Sequence, residues 1–228
     1  MSPIEKELGI GMTSLRTRKR LVERLTEKGI KDVRVLEAIR DVPRHLFVDE
    51  ALASRAYEDL SLPIGFQQTI SQPYIVAKMT EALISHDLFT QKPFKKVLEI
   101  GTGCGYQSAI LSRFTDQLVS IERIRGLYIK ARNNLRELKI RNVESRFGDA
   151  LETIKEIEIY DAILAGAVSD EIPEKLINQL KTGGRMVLPV KDANSQKLRL
   201  ILKVNKNQVK IKELDDVAFV PLVRGTLD

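Results

Sequence analysis

Up to about residue 93, apolar side chains recur at the spacing of amphipathic helices. The pattern predicts a first helix that Gly29 ends and a second helix over 33–42, with Asp32 as its N-cap. A third predicted helix begins at Pro73 and runs to about residue 85. The first helix is expected to bury its apolar positions and expose its basic cluster. Those apolar positions are Leu15, Leu21, Val22 and Leu25, and the cluster is Arg16–Arg20.

Beyond residue 93, short apolar strands alternate with helices, which is typical of an α/β fold with a doubly wound, mostly parallel sheet covered on both faces. Alternation at period two near the end of the chain predicts an antiparallel hairpin at the sheet edge. We expect the helical region 1–93 and the core 94–228 to form one compact domain. The predicted strands are 96–100, 118–122, 143–147, 160–165 and 186–190, the helices 106–114 and 124–138, and the hairpin strands 198–204 and 209–211.

Between the helical segments, residues 60–73 follow no regular period and are rich in Pro, Gly, Gln, Thr and Ser. An irregular segment of this length inside a compact domain is either disordered or functional. We expect an ordered loop that forms a lid over a functional site.

The composition excludes several classes of protein and of functional site. The chain has 228 residues, 37 Lys and Arg against 31 Asp and Glu, one cysteine and two histidines. One cysteine excludes a disulfide framework and thiolate-rich metal centres, and two histidines are too few for most catalytic zinc sites, so no metal is expected. No apolar run reaches the length of a membrane span, and the first dozen residues lack the features of a signal peptide. A cytoplasmic protein that does not bind a membrane is therefore expected. We expect a monomer, because no segment shows an uncovered apolar stripe, and no nucleic-acid binding, because the Arg16–Arg20 cluster is typical of a solvated helix face and the net charge of +6 is mild.

A glycine loop follows the first predicted strand of the core and opens a helix. Gly101, Gly103 and Gly105 alternate with other residues, which lets the backbone approach a ligand at the carboxyl end of the sheet. Glu122 stands 21 residues after Gly101, the spacing expected of an acid that accepts ribose hydroxyls, unless it is an ordinary charged strand end. Glu99 ends an apolar strand, so it needs a partner such as an ammonium group or a capped backbone.

The loop departs from the dinucleotide-binding fingerprint, because position 106 is tyrosine where that pattern has its third glycine. It resembles the cofactor loop of class I S-adenosylmethionine methyltransferases, which have a Rossmann-like fold. The resemblance implies that Glu99 contacts the loop and the methionine end, that Glu122 holds the ribose, and that Gly148-Asp149 contacts the adenine. Asp149 also suits the N-cap of a following helix. The cofactor-binding residues implied are Gln68, Ile70, Ser71, Glu99, Gly101, Gly103, Glu122, Arg123, Gly148 and Asp149.

The stretch 62–74, Leu-Pro-Ile-Gly-Phe-Gln-Gln-Thr-Ile-Ser-Gln-Pro-Tyr, is similar to the signature of protein-L-isoaspartate (D-aspartate) O-methyltransferases. The resemblance extends over roughly residues 13–228. It implies methyl transfer from S-adenosylmethionine to the α-carboxylate of isoaspartyl residues in damaged proteins, and the ester then closes to a succinimide that opens partly to aspartate. It also implies that Ser71 and Thr69 are catalytic and contact the substrate, with Val220 and Pro221 binding the substrate peptide as an extended strand.

The scarcity of histidine and cysteine fits this chemistry. A carboxylate with a pKa of about 4 is already ionised at pH 7, so no strong general base is needed and catalysis rests on positioning. Ser71 is expected to donate its hydroxyl to the acceptor carboxylate, and its alternative role is to cap the helix that begins at Pro73. Phe66-Gln67 departs from many bacterial relatives and is expected to change packing at the rim of the site. Asp170 departs as well and places a possible negative charge near the acceptor.

Two other functions stay open at this point. One is a methyltransferase of another acceptor, RNA or a small molecule, although residues 165–168 lack the Asn-Pro-Pro-Tyr type of motif. The other is a cofactor-binding module without catalysis. Cys104, in the glycine loop, is expected to be a packing residue, and His45 and His86 are expected to be structural or exposed.

Overall fold

A computed structural model of the chain describes residues 9–85, 92–155 and 157–228. A seven-stranded sheet in the order β5-β4-β3-β6-β7-β8-β9 forms its centre, and a separate two-stranded hairpin, β1-β2, precedes it in the chain. The strands are β1 (Leu62–Gly65), β2 (Gln68–Ile70), β3 (Phe94–Ile100), β4 (Thr115–Glu122), β5 (Val143–Phe147), β6 (Tyr160–Ala165), β7 (Leu180–Asp192), β8 (Ser195–Asn205) and β9 (Gln208–Asp216).

Strands β3 to β7 pair in parallel, whereas β8 and β9 pair antiparallel at one edge. The prediction of a mostly parallel α/β sheet with a C-terminal edge hairpin is therefore confirmed. The chain reverses direction across the sheet at β3, which lies between β4 and β6. Ligands of open α/β sheets bind beside the carboxyl ends of the strands at such a switch point.

Helices cover both faces of this sheet. They are α1 (Leu15–Glu27), α2 (Val33–Asp41), α3 (Pro73–Ile84), α4 (Tyr106–Leu111), α5 (Arg125–Glu137), α6 (Ala150–Thr153) and α7 (Glu174–Gln179). The predicted starts at Asp32 and Pro73 are confirmed: the Asp32 carboxylate accepts the Arg34 N–H, and Pro73 is the first residue of α3. None of the helices in the described ranges is long and apolar enough to cross a membrane.

Two apolar cores follow from the two-residue period of the strands. Val97 and Leu118 face one core, and their neighbours Leu98 and Val119 face the other. The first core also contains buried residues of α1, α2 and α3, so the N-terminal helices pack directly on one face of the sheet. That packing places the segment between α2 and α3 at the carboxyl ends of the strands.

The segment 60–73 was expected to be a loop without regular structure, and this expectation is wrong. Leu62 pairs with Ile70, and Gly65 pairs with Gln68, which makes a tight antiparallel hairpin. Its two turn residues, Phe66 and Gln67, have φ values of 54° and 56°. Two-residue turns of this kind favour Asn-Gly, because left-handed backbone costs other residues about 1–2 kcal/mol each. The sequence lacks that signal.

The first helix also corrects the sequence prediction. Arg18, placed on the exposed basic face, is buried, whereas Leu15 of the apolar set is half exposed. The Arg18 guanidinium lies 5.7 Å from the centre of the Tyr57 ring and 3.4 Å from the carbonyl oxygen of Asp41. An arginine with such partners is stable in the interior, so the apolar face of α1 includes one cation.

Candidate active site

A pocket opens at the carboxyl ends of β3 and β4, where the sheet topology places ligand sites. Its walls come from the glycine loop, the end of β4, the loop after β5, the β1-β2 hairpin and the C-terminal segment. Ten residues predicted to bind cofactor or substrate line it: Gln68, Thr69, Gly101, Gly103, Glu122, Arg123, Gly148, Asp149, Val220 and Pro221.

Glu122 holds the glycine loop in place. Its Oε2 accepts the N–H of Gly103 at 2.8 Å, and its Oε1 accepts the N–H of Ile124 at 2.9 Å. The carboxyl group is almost wholly buried, and burial raises its pKa even though these backbone hydrogen bonds oppose the shift. Each carboxylate oxygen has a second lone pair, so Glu122 supports the loop and still has acceptor capacity toward the pocket.

The glycine loop itself depends on left-handed backbone. Gly101 and Gly103 have φ values of 83° and 58°, which side chains other than glycine adopt at a cost. A Cβ on Gly103 would lie 3.4 Å from Cδ1 of Ile64 in the hairpin. The loop therefore lets the hairpin approach closely, with the pocket between them.

Glu99 is fully buried beneath the loop. The Ser108 hydroxyl and the Ser120 hydroxyl, the latter at 2.6 Å, both donate to its Oε2. Within the chain, two serine hydroxyls thus take the place of the expected ammonium group or capped backbone at Oε2. Oε1 has no hydrogen-bond partner among the described residues, and burial raises the pKa of this carboxyl to about 7 against the opposing serine bonds.

Asp149 and Arg123 are joined through one residue near the C-terminus. Asp149 Oδ1 accepts the N–H of Leu151, which confirms the predicted N-cap of α6, and its Oδ2 accepts the N–H of Gly225 at 2.8 Å. Arg123 Nε donates to the carbonyl oxygen of the same Gly225 at 2.8 Å. Gly225 carries no sequence signal of a site residue, because neither spacing nor residue type links it to Asp149 and Arg123, 76 and 102 residues earlier.

The residues 220–227, here named the C-terminal strap, cross the ends of the strands. Val168 N–H donates to the Val220 carbonyl at 2.8 Å, and Leu222 N–H donates to the Val168 carbonyl at 2.7 Å. At the other end, Leu227 N–H donates to the Arg123 carbonyl at 2.8 Å. Val220 and Pro221 thus reach the pocket as an extended segment that already pairs along one edge with the chain after β6.

Ser71, Ile70 and Glu99 line a smaller chamber that continues from the pocket, and Thr69 lines both. Thr69 and Ser71 also line an outer cleft with Phe219 and Val220. The residues of β2 and the segment just after it therefore separate an inner pocket from an outer cleft. Ser71 does not cap α3: the N-cap is Gln72, whose side chain makes no capping hydrogen bond. Asp59 Oδ1 instead accepts the N–H of Tyr74, in the first turn of α3, at 2.8 Å.

Comparison with known proteins decides the family. A family model described as protein-L-isoaspartate(D-aspartate) O-methyltransferase (PCMT) matches residues 16–227. The chain belongs to this family. The matched range includes the whole of the glycine loop, the hairpin and the strap.

Similar proteins agree with the assignment. The chain is 52% identical over 221 residues to a protein-L-isoaspartate O-methyltransferase of Methylobacillus flagellatus, covering 96% of each sequence. A protein of the same name from Pseudomonas syringae pv. tomato is 50% identical over 95% of this chain and 100% of its own length.

Solved structures give the same result. The PCMT family structure from Plasmodium falciparum, in complex with S-adenosyl-L-homocysteine, superposes with a TM-score of 0.77 at 27% identity and covers 90% of this chain and 98% of that one. Another protein-L-isoaspartate O-methyltransferase structure gives a TM-score of 0.77 at 29% identity, covering 90% of this chain and 65% of that one.

Several other predicted candidates have structural roles in this PCMT family member. Cys104 is buried, and burial raises the pKa of its thiol, so it packs rather than reacts. His45 Nδ1 lies 2.8 Å from the Tyr57 hydroxyl, while His86 lies outside the described residues.

Asp170, which was expected near the acceptor, forms a 2.5 Å ion pair with Lys191 at the surface and lines neither the inner pocket nor the outer cleft. In the described ranges, no group of three or more His, Cys, Asp and Glu side chains is arranged to hold a metal.

Proposed function

We propose that this chain transfers the methyl group of S-adenosylmethionine to the α-carboxylate of L-isoaspartyl residues in damaged proteins. The observation that carries the proposal is the arrangement of Thr69 and Ser71 between an inner pocket lined by the glycine loop and an outer cleft open to solvent. A donor and an acceptor bound on the two sides meet at these hydroxyls.

The inner pocket suits S-adenosylmethionine. The unpartnered Oε1 of Glu99 is a buried acceptor that the amino group of the methionine end would satisfy. Glu122 is in place to accept from ribose hydroxyls, and Gly148 with Asp149 would border the adenine. Gln68 and Ile70 approach from the hairpin and Arg123 from the end of β4, so the hairpin closes the pocket opposite the sheet.

The outer cleft suits the acceptor. Ser71 would donate a hydrogen bond to the isoaspartyl carboxylate, and Thr69 would orient the same group from the adjoining wall. Val220, with Pro221 beside it, would lie along the extended substrate backbone.

Positioning accounts for the chemistry. The bound cofactor supplies a sulfonium methyl group, and a carboxylate oxygen displaces the sulfur from that carbon. The acceptor is already ionised near pH 7, so the residues of the site have no proton to remove. Their work is to hold oxygen, carbon and sulfur in line, an arrangement worth about 7–11 kcal/mol at most. Without the enzyme, the nitrogen of the following peptide group of the substrate then attacks the ester carbonyl and displaces methanol, which closes the succinimide.

A pair of peptides that differ only in one linkage tests the proposal. Labelled methyl transfer is measured to an isoaspartyl peptide and to its normal aspartyl counterpart at equal concentration. We expect transfer to the isoaspartyl peptide alone. Equal transfer to both peptides, or transfer to neither with retained cofactor binding, would contradict it and favour another acceptor or a non-catalytic module.

We further propose that the chain works as a cytoplasmic monomer that does not bind nucleic acid. The single cysteine is buried, which suits a reducing compartment. Light scattering after gel filtration measures the mass of the protein in solution, and a mass twice that of the chain would contradict the proposal of a monomer.

A further inference from the structure

The hairpin turn has a bulky residue where backbone geometry favours glycine. Phe66 and Gln67 both have left-handed φ values between the paired residues Gly65 and Gln68. Asn-Gly suits this turn better than Phe-Gln, because a side chain other than Asn or Gly is strained there. Phe66 is strained at this position and half of its surface is in water. A phenylalanine kept under these conditions indicates that its ring makes a specific contact.

That contact is the backbone of α5. A Cβ placed on Gly126, the second residue of α5, would overlap the Cζ of Phe66 and stand 2.7 Å from its Cε2. The ring edge therefore rests on a patch of helix surface that only glycine leaves free. One turn further along α5, the Lys130 ammonium donates to the Ile64 carbonyl at 3.3 Å. These two contacts attach the hairpin to the helix.

The attachment spans the mouth of the inner pocket. Ile64 and Gln68 line the pocket from the hairpin, while Ile124 and Leu127 line it from α5 and the residue before it. A ligand in this pocket lies under the hairpin. For it to leave past α5, the hairpin must separate from the helix, and the contact of Phe66 with Gly126 must open.

We propose that Phe66 is a positioning residue that holds the hairpin closed against Gly126 and so limits how fast the cofactor product, S-adenosylhomocysteine, dissociates. This inference rests on the proposed function for the identity of the ligand. Phe66 acts through the residues of β2 that reach the site, and Gly126 is the complementary half of the same contact.

Two single variants and their combination test it. Phe66→Gly removes the ring and relaxes the turn, whereas Gly126→Ala displaces the ring and leaves the hairpin sequence intact. Dissociation of labelled S-adenosylhomocysteine, chased with excess unlabelled compound, is expected to be about tenfold faster in each single variant. The double variant is expected to match either single variant, since both substitutions remove one shared contact.

Controls separate positioning from folding. Ile129→Ala changes another exposed apolar residue of α5 and is expected to leave dissociation unchanged. Phe66→Leu is expected to restore slow dissociation in part. In Phe66→Gly the KM for S-adenosylmethionine should rise, while the KM for an isoaspartyl peptide stays within twofold, because the turn does not line the outer cleft.

The outcomes that overturn the inference are specific. Unchanged dissociation in both single variants, or a double variant whose effect is the product of the two single effects, contradicts the shared contact. Because dissociation is measured without any methyl acceptor, a chain that binds S-adenosylhomocysteine but ignores isoaspartyl peptides overturns only the proposed acceptor. A wild-type chain that does not bind S-adenosylhomocysteine overturns both.

Discussion

The two walls of the inner pocket are built differently. On the sheet wall, Glu99 and Glu122 are buried, and serine hydroxyls and backbone N–H groups hold three of their four oxygens. On the hairpin wall, the half-exposed Phe66 rests on α5, and a single 3.3 Å bond from Lys130 adds to it. The sheet wall is fixed by interior hydrogen bonds. The strands of the hairpin bury Leu62, Ile64 and Ile70 in the core, but its tip is attached to α5 by surface contacts.

This difference suits an enzyme that exchanges its cofactor in every turnover. Buried, hydrogen-bonded groups change stability when altered, because the partner left behind is unsatisfied. Surface contacts at the tip of the hairpin change rates, because local opening of the tip costs little free energy. Substitutions in the sheet wall should therefore change the free energy of unfolding, whereas substitutions in the hairpin wall should change rate constants.

The largest effect is expected for Ser71→Ala. Loss of the hydroxyl that is proposed to donate to the acceptor should lower kcat by roughly 10²–10³-fold, as for other transition-state hydrogen-bond donors. The urea midpoint should change little, because Ser71 makes no capping bond to α3. Ser195→Ala, at the exposed start of β8, serves as the matched control. Full turnover in Ser71→Ala, or a loss of stability in place of turnover, would contradict the catalytic role.

Glu99 should make stability depend on pH. Its pKa is raised from an ordinary 4.5 to about 7, so the folded protein binds the extra proton between these values. The contribution of Glu99 to the free energy of unfolding is therefore fully present below pH 4.5 and is lost as the pH rises through 7. The total change is about 3 kcal/mol.

Glu99→Gln is the test of that slope. The amide keeps one oxygen for Ser108 and Ser120 but does not ionise. Urea unfolding between pH 5 and 8 should give a flatter profile than the wild type, and the slope that remains includes Glu122, whose pKa is raised in the same direction. Identical profiles in the two proteins would show that burial does not raise the pKa of Glu99 and would contradict the prediction.

A smaller loss of stability is expected for Glu122→Gln. One of the N–H groups of Gly103 and Ile124 would face an amide N–H₂ and lose its acceptor, at a cost of about 1–3 kcal/mol. The free energy of unfolding in urea measures this loss, with the exposed Glu137→Gln on α5 as the control. Equal stability of the two variants would mean that Glu122 does not support the loop.

The smallest effect is expected for Asp170→Asn. Its ion pair with Lys191 is exposed, and exposed pairs contribute about 0–1 kcal/mol. Both the midpoint of unfolding and the KM for an isoaspartyl peptide should stay at wild-type values within error. A KM that falls severalfold would show that the charge of Asp170 repels the anionic acceptor after all.

Sequence patterns predicted the strands of the sheet because these strands are apolar. They predicted the helix starts at Asp32 and Pro73 because both obey local rules. The glycine loop was found for the same reason, since its spacing is local. The hairpin was missed because its turn lacks Asn-Gly, and the burial of Arg18 because its partner Tyr57 is distant in sequence.

Contacts between distant segments set the details of the site. The hydroxyls that hold Glu99 come from residues 9 and 21 positions later, on different elements. Gly225 links Asp149 and Arg123 only after the strap has crossed the sheet. Periodicity reports which face of an element is buried, but it does not report which side chain a buried group meets.

The chain has one cysteine, Cys104, and it is buried in the interior with a raised thiol pKa. A maleimide dye should therefore react slowly with the native protein and quickly with a cysteine introduced on the surface. Gln67→Cys at the tip of the hairpin would give a single attachment point for a fluorophore. Because its one native thiol is buried, motion of the hairpin in this enzyme can be followed by single-molecule fluorescence without removal of any native cysteine.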